Sequence, residues 1–225
     1  MLFDLRGAHR RRVVKIVYIT LAILMGGGLV LFGIGGAVSG GLVDAITNNS
    51  GGGGDTTGRL ESSERAATRR ARANPTDAAA WAAVARARFN LANAGDNLDP
   101  NTGAYSADGR RMLRLAGDAW EKHVALAKQP DDRVASLMVQ AYGALNKPDK
   151  AAEAQEVITQ ARPTASTFTQ LAVFAYQAGQ TRKGDLAKNK ALELTDPDMR
   201  EALKGQLESA KQAATTAAAQ PSATP

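Results

Sequence analysis

The sequence predicts an all-α protein: a single N-terminal transmembrane helix followed by a short helical-repeat superhelix. Three observations carry this. One long apolar run, Ile16 to Val38, sits directly behind the basic cluster Arg10, Arg11, Arg12 and Lys15. From Arg59 onward the chain is alanine-rich, lacks strand-like alternation, and repeats its apolar positions at steps of three and four. Three of its segments share one spacing. The expected layout is a cytoplasmic basic flank over 1–15, the span over 16–38, a flexible glycine-rich linker over 39–58, the repeat domain over 59–213 and a disordered tail over 214–225.

At a helical rise of about 1.5 Å per residue the apolar run reaches roughly 34 Å, enough to cross a bilayer once. Lys and Arg precede it and are absent from Ser39 to Gly58, so the positive-inside rule expects a cytoplasmic N-terminus and an extracytoplasmic remainder. Ala37-Val38-Ser39 offers a small-x-small cleavage site, but the run is longer than a signal-peptide core of about 7 to 15 residues, and retention is expected. Inside the span Ala22, Gly26, Gly33, Ala37 and Gly40 fall along one side. Such a face lets a neighbouring helix approach closely, for lateral docking or homo-oligomer formation, although glycine is also simply common in membrane helices.

The charge of +6 divides unevenly. Of 28 Lys and Arg, five precede residue 16, against one (Asp4) of the 22 acids, so the flank carries +4 and everything after it +2. The basic character belongs to the membrane flank, and nucleic acid is not an expected partner. Cysteine is absent, which excludes disulfides, thiolate catalysis and cysteine-ligated metal. Asp44 to Gly58, with Asn48, Asn49, Ser50 and the run Gly51 to Gly54, reads as a tether with a reach near 20 Å.

Within the repeat region Trp81, Val84, Ala85, Arg88 and Phe89 align with Val134, Leu137, Met138, Ala141 and Tyr142, and these with Phe168, Leu171, Ala172, Ala175 and Tyr176. The second and third copies lie 34 residues apart; the first is separated by a further insertion of about 19. This region, roughly Asn74 to Ala213, resembles the tetratricopeptide-repeat (TPR) family. The third copy matches best, with Gly179 at the turn, Gly184 where the second helix needs a small residue, Ala191, and Pro197 just after the repeat. The second departs at Met138 and at Leu145, which stands at the turn glycine. The first departs at Arg88, which takes the usual aromatic position. The basic flank, the phrase Leu31-Phe32-Gly33-Ile34-Gly35-Gly36 and the early span are similar to the anchors of membrane-tethered bacterial foldases and of single-span helical-repeat proteins that accompany the Sec translocon.

Helices are expected near 60–73, 76–93, 107–128, 131–145, 148–161, 164–178, 181–194 and 197–213. Thr76 or Asp77, Ser106, Thr164 and Asp196 suit caps, and Pro148 and Pro197 suit first turns. The last helix would cover the end of the stack.

Little here suggests catalysis. His9 lies in the flank, and His123 has no second histidine for metal or a serine relay. No phosphate-cradling loop is present, and no cofactor is expected. The insertion around Asp96, Asp99, Asn101 and Asp108 has oxygen donors at alternating positions but no glutamate at the twelfth place from Asp99, so a turn-rich loop is favoured over calcium. The TPR resemblance instead implies a peptide groove: Phe89, Tyr142 and Tyr176 in a row, with Arg86, Asn90, Thr169 and Gln177 as polar neighbours. The same rings can alternatively close seams between repeats; Trp81, Trp120 and Phe168 are read as core. Taken with the anchor, the resemblance implies a chaperone-like accessory factor at the translocation machinery, whose partners are translocon subunits, a foldase or client polypeptides. The alternative is a scaffold for another envelope complex.

Overall fold

The computed structural model describes residues 53–219, with side chains for 56–217 and 219. The expected span with its face Ala22, Gly26, Gly33, Ala37 and Gly40 lies outside the described residues, as do the flank and the segments 39–52 and 220–225. Among the described residues no helix is long and apolar enough to cross a membrane.

The described residues fall within the compact unit Gly52–Pro225. They form eight α-helices and no strand: α1 Gly53–Ala73, α2 Ala78–Ala92, α3 Ala107–Leu126, α4 Asp132–Ala144, α5 Pro148–Ala161, α6 Ala165–Gln177, α7 Thr181–Glu193 and α8 Pro197–Ala219, with a 3₁₀ turn at Gly95–Asn97. The chain is therefore all-α over this region, as the apolar periodicity predicts. Local chemistry sets the starts. Asp77 accepts the Ala79 and Ala80 N–H groups at 2.9 and 3.2 Å, Asp131 does the same for Arg133 and Val134, and Ser106 accepts from Gly109 at 3.1 Å. Thr164 and Thr167 form a reciprocal capping box, and Pro148 opens α5 where its missing N–H costs nothing.

Two boundaries differ from expectation. Helix α1 begins at Gly53, so the described part of the segment expected as linker is helical. Its early turns pack on the 3₁₀ turn, with the Thr57 side chain beside Gly95. Helix α8 runs to Ala219, past the expected end at 213, because this stretch is rich in alanine, the best helix former, and Ala214 packs on the core.

Each helix packs on its neighbours in the chain, and α8 also lies across α6 as well as α7. This near-neighbour pattern is that of a helical-repeat stack. Two apolar clusters result. One joins α1 to α5 through Val84, Leu113, Trp120 and Met138; the other joins α5 to α8 through Leu171, Tyr176 and Leu207. Trp120 is core, whereas Trp81 and Phe168 are half-buried at the cluster edges. Leu207, fully buried on α8, shows that the last helix closes the second cluster.

The turns show how the repeats are phased. After α4 the left-handed residue is Asn146, with φ 53°, and after α6 it is Gly179, with φ 71°. The Lys147 N–H then donates to Tyr142 O, and the Gln180 N–H to Ala175 O, both at 2.8 Å. Helices α4 and α6 thus start and end 33 residues apart, as do the starts of α5 and α7, whereas the side-chain pattern repeats at 34. Leu145, aligned with the turn glycine, is instead the C-cap of α4.

Candidate binding cleft

The sequence-predicted groove does not form as expected. Phe89, Tyr142 and Tyr176 are 8, 4 and 3% exposed, so their faces close seams between helices and are not open to a peptide. The polar neighbours have separate occupations. Arg86 is exposed and reaches Asp131 at 3.4 Å, Asn90 and Thr169 are half-buried with Thr169 bonded to Ala165 O at 2.8 Å, and Gln177 is exposed. The reason is steric. The Tyr142 and Tyr176 rings meet glycine on the facing helix, and filling that space buries more apolar area than a concave wall would.

Those glycines differ in position. A Cβ at Gly184 on α7 would strike the Tyr176 ring, which is why the small residue anticipated there is required. A Cβ at Gly117 on α3 would come 3.0 Å from both Cε1 and the hydroxyl of Tyr142. Tyr176 thus packs on the helix after its own, and Tyr142 on a helix before it. The Tyr176 hydroxyl donates to Asp185 Oδ1 at 2.8 Å, whereas the Tyr142 hydroxyl is buried with no hydrogen-bond partner. Burial pushes Tyr142 well above the ordinary phenol value, reinforced by the carboxylates of Glu121, Glu153, Asp118 and Asp149, and the phenol stays neutral at physiological pH.

Beside Tyr142 a cleft of about 250 Å³ opens between α3 and the end of α4. Helix α3 supplies Arg111, Arg114, Leu115, Gly117, Asp118 and Glu121; Leu145 and Lys147 come from the α4–α5 turn. The buried face of α3, with Leu113, Ala116, Ala119, Trp120 and His123, fixes which residues remain outside, namely the charged ones. Lys150 of α5 holds Glu121 at 3.2 Å and Glu153 at 3.1 Å, and these bonds raise the Lys150 ammonium above its ordinary value. Arg114 and Asp118 have no side-chain hydrogen bond or ion pair among the described residues. None of the charged residues lining this cleft was singled out from the sequence. Their signal was the spacing of Arg111, Arg114, Asp118 and Glu121 at steps of 3, 4 and 3.

Other polar residues are structural. His123 is buried, its Nδ1 2.9 Å from Ala78 O and its Nε2 accepting the Asp131 N–H at 2.9 Å, so the neutral ring with hydrogen on Nδ1 joins α2, α3 and the cap of α4. Arg88, at the position where an aromatic was expected, binds Glu64 at 2.9 Å and Leu115 O at 3.0 Å, tying α1, α2 and α3 together. The insertion folds back as a small loop in which Leu98 bridges Tyr105 and the Tyr105 hydroxyl donates to Asn93 at 2.7 Å. Asp99 accepts the N–H groups of Asn101 and Thr102, and the first of these bonds most strongly lowers its pKa; its carboxylate organises the turn.

Comparison with known proteins finds neither a family model nor a curated protein that matches the chain.

Proposed function

We propose that the helical unit is a protein-binding module, held at a membrane by the span 16–38, and that it binds through the α3–α4 cleft. The observation that carries this is the pairing of two exposed, unpartnered charges of opposite sign, Arg114 and Asp118, at the rim of a cleft. Charges so placed contribute little to a monomer's stability and much to the orientation and specificity of a partner. The anchor and repeat resemblances support a chaperone-like accessory role beside a protein-translocation machine, with translocon subunits, a foldase or emerging polypeptides as partners. A tether there would raise the local concentration of binding sites.

The second reading, a scaffold for another envelope complex, draws on the surface. Among the described residues only five large apolar side chains are exposed: Val124, Leu126, Leu186, Leu194 and Met199. A charged cleft on a mostly polar surface suits a folded partner better than an unfolded apolar client.

The test is a pull-down from detergent extract with the full chain, with its span exchanged for a neutral one, and with Arg114→Glu plus Asp118→Lys. Translocon subunits lost on span exchange support the accessory role; a single set of unrelated envelope proteins supports the scaffold. Identical captures by the cleft variant and the parent would sink the cleft as the binding surface.

A further inference from the structure

The outward face of α3 carries its charges in sorted order. Arg111 and Arg114 lie towards the N-terminus and Asp118 and Glu121 towards the C-terminus, all on one stripe. All four lie between the first and last turns of α3, to which the pull of the helix macrodipole on charges is confined, so it does not account for their order. Nor does pairing within the chain. Arg114 and Asp118 stand four residues apart and form no ion pair, while Arg111 and Glu121 have surface partners only, Asp108 at 3.1 Å and Lys150 at 3.2 Å.

The stripe is, however, its own complement. Each oppositely charged pair is centred on the level of Ala116, whose own side chain is buried on the opposite face, so turning the helix end over end about an axis through the stripe at that level brings Arg114 onto Asp118 and Arg111 onto Glu121. We propose that the occupant of the cleft is a second copy of this chain, with α3 packed antiparallel on the copy's α3 across a twofold axis that crosses the stripe midway between Arg114 and Asp118. The proposal rests on the reading of the cleft as a protein-binding surface and names what binds there. An isologous contact uses the same patch on both chains, so two kinds of ion pair become four. Half-buried Leu115 adds apolar contact beside it. Such pairs are screened by salt, and the dimer weakens as ionic strength rises.

Charge exchange tests this in the full chain, in detergent micelles, by sedimentation. Arg111→Glu with Arg114→Glu leaves an all-acidic stripe, and Asp118→Arg with Glu121→Arg leaves an all-basic one. Each alone should self-associate at least about tenfold more weakly than the parent. Mixed together they should form heterodimers, and the fourfold variant should dimerise again. Single-sign variants that dimerise like the parent, or a mixture no better than either alone, overturn the proposal. Because the chain contains no cysteine, a second measurement reads the register directly. Arg114→Cys and Asp118→Cys chains oxidised together should give a disulfide-linked dimer in excess of either alone; no excess also overturns it. The same variants serve as bait. If the charge exchanges leave self-association untouched but abolish capture of another protein, the second copy falls and the protein-binding reading stands; if neither changes, both fall.

Discussion

Tyr142 and Tyr176 hold the same place in the sequence repeat, and the fold treats them differently. Both rings are buried over a glycine, but Tyr142 reaches back to Gly117 on α3 and Tyr176 forward to Gly184 on α7. One step of phase accounts for this. The carbonyl receiving the turn's long hydrogen bond belongs to Tyr142 in α4 and to Ala175 in α6. Counted from the helix end, Tyr176 therefore stands one residue later than Tyr142, and one residue is about 100° around a helix. The consequence is chemical as well as steric. The forward-facing hydroxyl finds Asp185, which Lys211 also holds at 2.9 Å, in a network continued by Lys188 and Glu208 of α7 and α8. The backward-facing hydroxyl has no partner and lies at the only seam of the two that carries the charged cleft. A repeat pattern thus fixes that a ring is buried; the phase of its helix fixes what it is buried against.

The largest effect that could break this contrast is loss of the rings themselves. Tyr176→Ala and Tyr142→Ala should each cost about 3–5 kcal/mol in urea unfolding, since both leave ring-sized cavities. A cheap Tyr142→Ala would mean that its seam collapses into the cleft and that the two seams are not equally packed. Next come the glycines. At Gly184 a methyl group meets the ring face, and overpacking of about 1–3 kcal/mol outweighs the gain of about 1 kcal/mol from better helix propensity. Gly117→Ala meets only the ring edge and hydroxyl at 3.0 Å, beside open space, and should be close to neutral. Equal destabilisation by the two alanines would remove the proposed difference.

Fold class and helix positions followed from apolar steps of three and four together with caps such as Asp77, Ser106 and Thr164, because these act over a few residues and are written locally. The glycine under Tyr176 was also foreseeable, through the repeat pattern. The cleft was not. Its residues gain meaning only once α3 buries Leu113, Ala116 and Trp120 and so turns Arg114 and Asp118 outward, and the insertion before α3 displaced that helix from the repeat alignment. The expected aromatic groove failed for a related reason: offset within a repeat does not specify phase, and Asn146 closes α4 where the alignment placed Leu145.

The next effect differs in sign between the seams. Tyr176→Phe removes a hydrogen bond to a carboxylate and should destabilise by about 1 kcal/mol, whereas Tyr142→Phe removes a buried group without a partner and should be neutral or stabilising by a similar amount. Chemical denaturation of the two variants, side by side, decides it. Destabilisation by Tyr142→Phe would mean that this hydroxyl has a partner in solution.

The smallest expected effect is on the pH dependence, and it separates the seams again at the acid end. Asp185 is held below the usual carboxylate range, first by the hydrogen bond from Lys211 and then by that from Tyr176; Glu208 is lowered chiefly by Lys188. A carboxylate whose pKa is lower in the folded state contributes stability above its unfolded value of about 4, and loses it as pH falls through the folded value. Unfolding midpoints measured from pH 7 down to pH 3 should therefore decline, and Asp185→Asn should flatten the decline while lowering stability at pH 7. The groups are partly exposed, so added salt should shrink the difference. At the alkaline end the seams act alike. Both phenols are raised, mainly by burial, so each contributes stability that is complete below about pH 10 and lost as pH climbs above it, when the unfolded chain ionises first. Tyr142→Phe and Tyr176→Phe should each remove part of that alkaline loss. Asp185→Asn and, more weakly, Tyr176→Phe should alter the acid one and Tyr142→Phe should not, because the carboxylate bonded to a ring hydroxyl is found on the α6–α7 side.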